Sequence, residues 1–235
     1  MIVRNLQQVR DRITTACFSA GRNPATVRLL AVSKTFGADA VVEATADGQR
    51  AFGENYVAEG VEKIAAVRAL LAQQAGAAVL EWHCIGPLQS NKTRLVAENF
   101  DWVQSVDRLK IAQRLSEQRP AGLPPLQVCL QVNIDGGTNK SGVTPDEVEA
   151  LAREVAGLSN LTLRGLMAIP EPAASFDDAC AVHAQMKALF DRVNTALALP
   201  VPMDTLSLGM TGDLEAAIHA GSTMVRVGTA IFGDR

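Results

Sequence analysis

Eight short apolar stretches with the character of buried strands, at residues 29–35, 51–55, 80–85, 101–106, 126–134, 161–169, 205–208 and 222–227, alternate with stretches of helical periodicity. Strand, helix and strand in unbroken succession make neighbouring strands parallel, and a parallel sheet is covered on both faces. Eight such units without an evident linker favour closure into a barrel over an open, doubly wound sheet. The absence of a Gly-x-Gly-x-x-Gly fingerprint agrees with that choice. The expected fold is α/β, a single (β/α)8 TIM barrel over residues 1–235, with an extra N-terminal helix before the first strand.

The segments between strands carry their own signals. Leu6, Val9, Ile13 and Cys17 recur at helical spacing, with Asn5 and Gln8 placed as an N-terminal cap and Gly21 closing the helix. A second helix is expected over about 38–47. A third has Val57, Val61, Ile64 and Ala65 on one face and runs toward Gln73. Asp107 is placed to cap the helix after the fourth strand, and Pro120, Pro124 and Pro125 enforce a break beyond it. Thr144-Pro145-Asp146-Glu147 has the cap and first-turn proline of another helix. Val182, Met186, Leu189, Val193 and Leu197 mark the core face of the helix after the sixth strand, and His183 beside them reads as a packed side chain. A short helix over 213–220 ends at Gly221, and none is expected after the eighth strand.

Hydrophobic residues make up 48% of the chain and charged ones 20%, with no apolar run long enough to span a bilayer. The first residues turn polar at once and lack the apolar core of a secretory signal, which points to the cytoplasm. A net charge of −3 and 4% aromatics offer neither the basic run nor the stacking platforms that nucleic acid needs. Cys17, Cys84, Cys129 and Cys180 form no C-x-x-C pair, and the three histidines no ligand pair, so neither a disulfide frame nor a metal is expected.

The first strand, Leu29-Leu30-Ala31-Val32-Ser33-Lys34-Thr35, delivers a lysine at its C-terminal end, where the ligand sites of α/β barrels lie. Alone, Lys34 reads first as a solvated loop charge, since lysine is mostly exposed. The loops after the last two strands give it company. Ser207-Leu208-Gly209-Met210-Thr211-Gly212-Asp213 and Arg226-Val227-Gly228-Thr229 supply glycines for close backbone approach and hydroxyl donors for a phosphate. A lysine facing a phosphate cup suits Schiff-base attachment of a phosphorylated aldehyde. A permanently charged Arg226 beside a pyridine nitrogen would weaken such a ring as an electron sink. A barrel that binds a sugar phosphate through the same cup also fits these residues.

Six long motifs in order carry a family resemblance: Leu30-Ala31-Val32-Ser33-Lys34-Thr35, Phe52-Gly53-Glu54-Asn55-Tyr56, 82–92 from Trp82 to Lys92, Gly165-Leu166-Met167-Ala168-Ile169, Leu206 through Asp213, and Val225 through Gly233. Together they resemble the YggS/PROSC family of pyridoxal phosphate homeostasis proteins over nearly the whole chain. The resemblance implies a fold-type III barrel like the N-terminal domain of alanine racemases. It also implies pyridoxal 5'-phosphate (PLP) on Lys34, Arg226 at the pyridine nitrogen, and Thr211, Gly228 and Thr229 at the phosphate. Asn55, His83, Asn133, Met167 and Ser207 would line the cofactor from other strand ends. Family members hold the balance of vitamin B6 vitamers without robust turnover, so a non-catalytic carrier is expected, possible partners being PLP-dependent apoenzymes. A monomer is expected.

Two positions depart from the family pattern. Thr211 stands where serine is usual, and Phe36-Gly37 where a basic residue and a proline often follow the lysine. The rival reading is a PLP-dependent amino-acid racemase, which needs a second base. The chain has one tyrosine, Tyr56, at the start of the third helix, where packing is the expected role. Lys140, in the loop after the fifth strand, is a candidate acceptor of the aldehyde during transfer.

Overall fold

The computed structural model describes residues 1–72, 78–137 and 141–233. Helix α1 (Ile2–Ser19) precedes β1 (Arg28–Val32), and α2 (Ala38–Ala46), β2 (Ala51–Glu54), α3 (Val57–Leu71), β3 (Glu81–Cys84), α4 (Thr93–Asn99) and β4 (Trp102–Val106) follow. The second half runs α5 (Leu109–Gln118), β5 (Leu126–Val132), α6 (Val148–Ala156), β6 (Leu161–Ala168), α7 (Phe176–Leu197), β7 (Thr205–Ser207), α8 (Leu214–His219), β8 (Met224–Val227) and α9 (Thr229–Phe232). All eight strands are parallel and close into a barrel in sequence order, with Leu30 of β1 opposite Arg226 of β8 at the seam.

Alternation along each strand divides the interior in two. Phe52, Trp82, Val103, Leu126, Leu166 and Val225 join the main core between sheet and helices. Leu30, Val32, Ala51, Ile85 and Met224 form a separate cluster inside the barrel, and Trp102, Cys129 and Met167 another. Polar side chains share that inner space: His83, Gln104, Ser207 and Arg226 are all buried. The barrel floor is thus apolar and polar in turn, and its open end is left to the loops at the strand C-termini.

Several sequence expectations give way to competing interactions. Asn5 lies inside α1, which starts at Ile2, because its amide donates to the Ile231 carbonyl at 2.9 Å; neither it nor Gln8 caps the helix. Asp107 does not cap α5, since it pairs with the adjacent Arg108 at 2.6 Å. Thr144 and Glu147 close a turn by side-chain bonds, and α6 begins only at Val148. The short α9 was not expected, for four residues carry no periodicity; it buries Ile231 and Phe232. Tyr56 is 56% exposed before α3 rather than packed. His183 is buried as expected. The end of the third helix near Gln73, and Lys140, lie outside the described residues.

Candidate functional site

A cavity of about 580 Å³ opens at the C-terminal ends of the strands. Lys34, Asn55, Thr211, Arg226, Gly228 and Thr229 all line it, drawn together from both ends of the chain. Val32, Phe36, Ile85, Ile169, Met210, Gly212 and Gly233 complete the wall, so a mostly apolar vessel carries a few convergent polar groups.

Lys34 follows β1 on a turn in which the Ser33 N–H donates to the Gly53 carbonyl (3.0 Å) and the Phe36 N–H to the Ser33 carbonyl (3.1 Å). Asn55 leaves β2 beside Gly86, where a Cβ would lie 2.1 Å from the Asn55 carbonyl oxygen. Only glycine lets these two loops approach so closely.

The loop after β7 is held from beneath. Gly209 has φ +91°, and a Cβ there would stand 2.6 Å from Ala217 Cβ. The Met210 N–H donates to Asp213 Oδ1 (2.6 Å), while Asp213 Oδ2 pairs with His183 Nε2 (2.9 Å). Burial acts against the Asp213 carboxylate, but hydrogen bonds from His183 and the Met210 N–H outweigh it and hold the carboxyl below its ordinary range. From α1, Arg12 donates to the Thr211 carbonyl (2.8 Å) and grips Glu215 through Nε and a terminal nitrogen at 2.7 and 2.9 Å. Thr211 and Gly212 therefore face the cavity on a loop fixed by three helices, α1, α7 and α8.

Arg226, 4% exposed, rises from β8 into the cavity wall. It donates to the Ser207 carbonyl and hydroxyl (both 2.7 Å) and to the Ala168 carbonyl (2.8 Å). A guanidinium carries five N–H groups, so donors remain for a ligand. Burial lowers its pKa to about 10, still far enough above neutrality to keep the charge. Below it a chain of bonds crosses the barrel: Ser207 Oγ donates to Gln104 Oε1 (2.7 Å), Gln104 Nε2 meets His83 Nδ1 (2.9 Å), and His83 Nε2 meets Glu81 Oε1 (2.7 Å). The amide donor of Gln104 makes Nδ1 the acceptor, which leaves the proton on Nε2, facing the carboxylate. Burial pushes the His83 pKa down and keeps the ring neutral. Glu81 closes the chain by pairing with Arg28 at 2.7 Å.

The other expected residues are placed differently. His83 and Ser207 stand below the cavity wall as supports of Arg226. Met167 packs with Trp102 and Cys129 inside the barrel. Asn133 lies just past β5; its Nδ2 donates to the Gly137 carbonyl (2.8 Å), and its buried Oδ1 has no partner among the described residues. Arg12 and Gln104 escaped the sequence reading. Gln104 had a faint signal, a polar residue at an inward position of a strand; Arg12 had none.

Comparison with known proteins places this chain in a family. The family model described as "Alanine racemase, N-terminal domain" matches residues 4–235. The chain is 56% identical to the pyridoxal phosphate homeostasis protein of Pseudomonas aeruginosa over 234 residues, covering 100% of this chain and 96% of that one. The chain belongs to the family of pyridoxal phosphate homeostasis proteins. The Escherichia coli K12 member is 55% identical over 100% of this chain and 97% of its own. Among solved structures, PipY of Synechococcus elongatus with PLP bound superposes with a TM-score of 0.82 at 32% identity, covering 99% of this chain and 100% of PipY.

Proposed function

We propose that this chain binds pyridoxal 5'-phosphate on Lys34 and serves in the homeostasis of that cofactor, as a cytoplasmic monomer without sustained turnover. The observation that carries the reading is the convergence of an amine, a buried guanidinium and two threonine hydroxyls on one cavity. These match the three recognition points of the cofactor: aldehyde, pyridine nitrogen and phosphate. The family membership and the PLP-bound PipY support it.

The residues around the cavity fit the cofactor. A Cβ on Gly228 would lie 3.1 Å from the Val32 carbonyl, so the bare backbone there leaves room that a side chain would take. Bound there, the cofactor would supply an aldehyde to the Lys34 amine, with water as the leaving group. The chain's own residues do the rest. Thr211, Gly212, Gly228 and Thr229 receive the phosphate. Arg226, charged and held by Ser207, would present a donor to the ring nitrogen and keep a proton off it, which would weaken the ring as an electron sink. Asn55 adds a polar contact from the opposite loop, and Phe36, Ile85 and Ile169 exclude water from the ring.

The racemase alternative asks for a second base. Tyr56 is exposed and absent from the cavity lining, which supports the carrier reading. Transfer to PLP-dependent apoenzymes is the use a carrier of this kind has. The test is reduction of PLP-loaded protein with borohydride followed by peptide mapping. Label is expected on the peptide containing Lys34, with no visible absorption band in Lys34→Ala; incubation with single-enantiomer amino acids is expected to leave optical activity unchanged. Label elsewhere, or sustained racemization, refutes the proposal.

A further inference from the structure

The turn that presents Lys34 is tied to charges that stand outside the cavity lining. Lys63, on α3 and 6% exposed, donates from Nζ to the Ser33 carbonyl (2.6 Å), to both oxygens of Glu54 (2.7 and 2.9 Å) and to Glu59 Oε1 (3.0 Å). Glu54, the fully buried last residue of β2, also accepts from Ser33 Oγ at 2.6 Å. Glu59 Oε1 accepts the Thr35 N–H. Residues on both sides of Lys34 are therefore roped to one ionic cluster. Thr35 meanwhile sits at φ +67°, a region that β-branched residues avoid unless their surroundings compel it.

A buried ion pair is a poor device for stability, because desolvation offsets the attraction and apolar side chains of similar volume often serve as well. What apolar side chains do not supply is directed bonds to Ser33. The cluster holds the Ser33 carbonyl and hydroxyl by separate charges, which fixes the plane of the peptide that leads into Lys34.

We propose that Lys63 and Glu54 are positioning residues that lock the Ser33–Thr35 turn, so that the Lys34 amine meets the cofactor aldehyde from one direction and retains it. This rests on the reading of Lys34 as the attachment lysine. Three proteins test it: wild type, Lys63→Met, and Glu54→Leu with Lys63→Met. The single variant strands a buried carboxylate and loses stability; the double variant removes both charges and recovers most of it.

In the double variant, PLP release into excess semicarbazide is expected to be about tenfold faster, as misplacement of a reacting group by a fraction of an ångström implies. The pH midpoint of the visible absorption band is expected to move, and a crystal structure of the ligand-free variant to show Thr35 outside the positive-φ region. Recovered stability together with wild-type release, an unmoved titration and Thr35 still at positive φ overturns the proposal. Should wild-type protein carry no PLP on Lys34, the functional reading falls by itself. The ligand-free structure then decides the positioning claim: a displaced turn upholds it and an unmoved turn overturns it.

Discussion

Gln104 is bonded on both sides, to Ser207 above and His83 below, entirely out of water. Replacing it by leucine keeps the approximate bulk but leaves the Ser207 hydroxyl proton and His83 Nδ1 without partners. Each stranded buried group costs about 1–3 kcal/mol, so Gln104→Leu is expected to lower the unfolding free energy by roughly 3 kcal/mol, read from urea unfolding midpoints. The same residue shows what a sequence conceals at this scale. Lys34 was legible as a cavity residue only in the company of the glycine-bearing loops after β7 and β8, because a lysine at a strand end by itself reads first as a solvated charge. Gln104 was not, since alternation reports only that a side chain points inward, never that strands β3, β4, β7 and β8 will bring His83, Gln104, Ser207 and Arg226 into one line.

Among the elements, α1 does more than cover the barrel. It packs on α8 and α9, and through Arg12 it reaches the back of the loop that carries Thr211. The Arg12 pair with Glu215 is partly exposed and contributes little to stability, about 1 kcal/mol or less. Its larger effect is expected in binding. Arg12→Met is expected to weaken PLP affinity about fivefold, equivalent to ~1 kcal/mol, in a titration followed by absorbance. Arg10→Met, which cuts a pair with Asp47 elsewhere on the same helix, provides the comparison and is expected to leave affinity unchanged. The existence and order of α1 and the strands were readable from periodicity. The caps were misread, because Asn5 and Asp107 have the right chemistry but spend it on Ile231 and Arg108. A local rule identifies a competent side chain; the tertiary neighbour decides which partner it takes.

At the scale of the whole molecule the polar chain from Arg226 to Glu81 links the cavity end of the barrel to the opposite end, where Arg28 waits at the start of β1. Barrel closure was foreseeable from eight repeats, but this axial line was not, because it exists only once the seam between β1 and β8 is made. It gives the barrel an acid-sensitive axis. Burial alone would raise the Glu81 pKa, yet the hydrogen bond from His83 and the charge of Arg28 overcome that and hold it at about 2, against an ordinary 4.5. Burial lowers His83 below its ordinary 6.5. In both cases the unfolded chain takes up a proton at a higher pH than the folded one. The stability each contributes is therefore complete above its ordinary pKa and is lost as pH falls through the folded value. The His83 share is expected to start eroding below about pH 6.5 and the Glu81 share between about pH 4.5 and 2. Allowing for solvent at its exposed edge, the Glu81 share is of the order of 2 kcal/mol. Unfolding free energies measured in urea at stepped pH are expected to fall through the lower window more steeply in wild type than in Glu81→Gln, in which Asp213 and Asp204 still titrate. A wild-type profile no steeper than that of the variant would show that Glu81 carries no differential protonation, and that the axis is held together by packing instead.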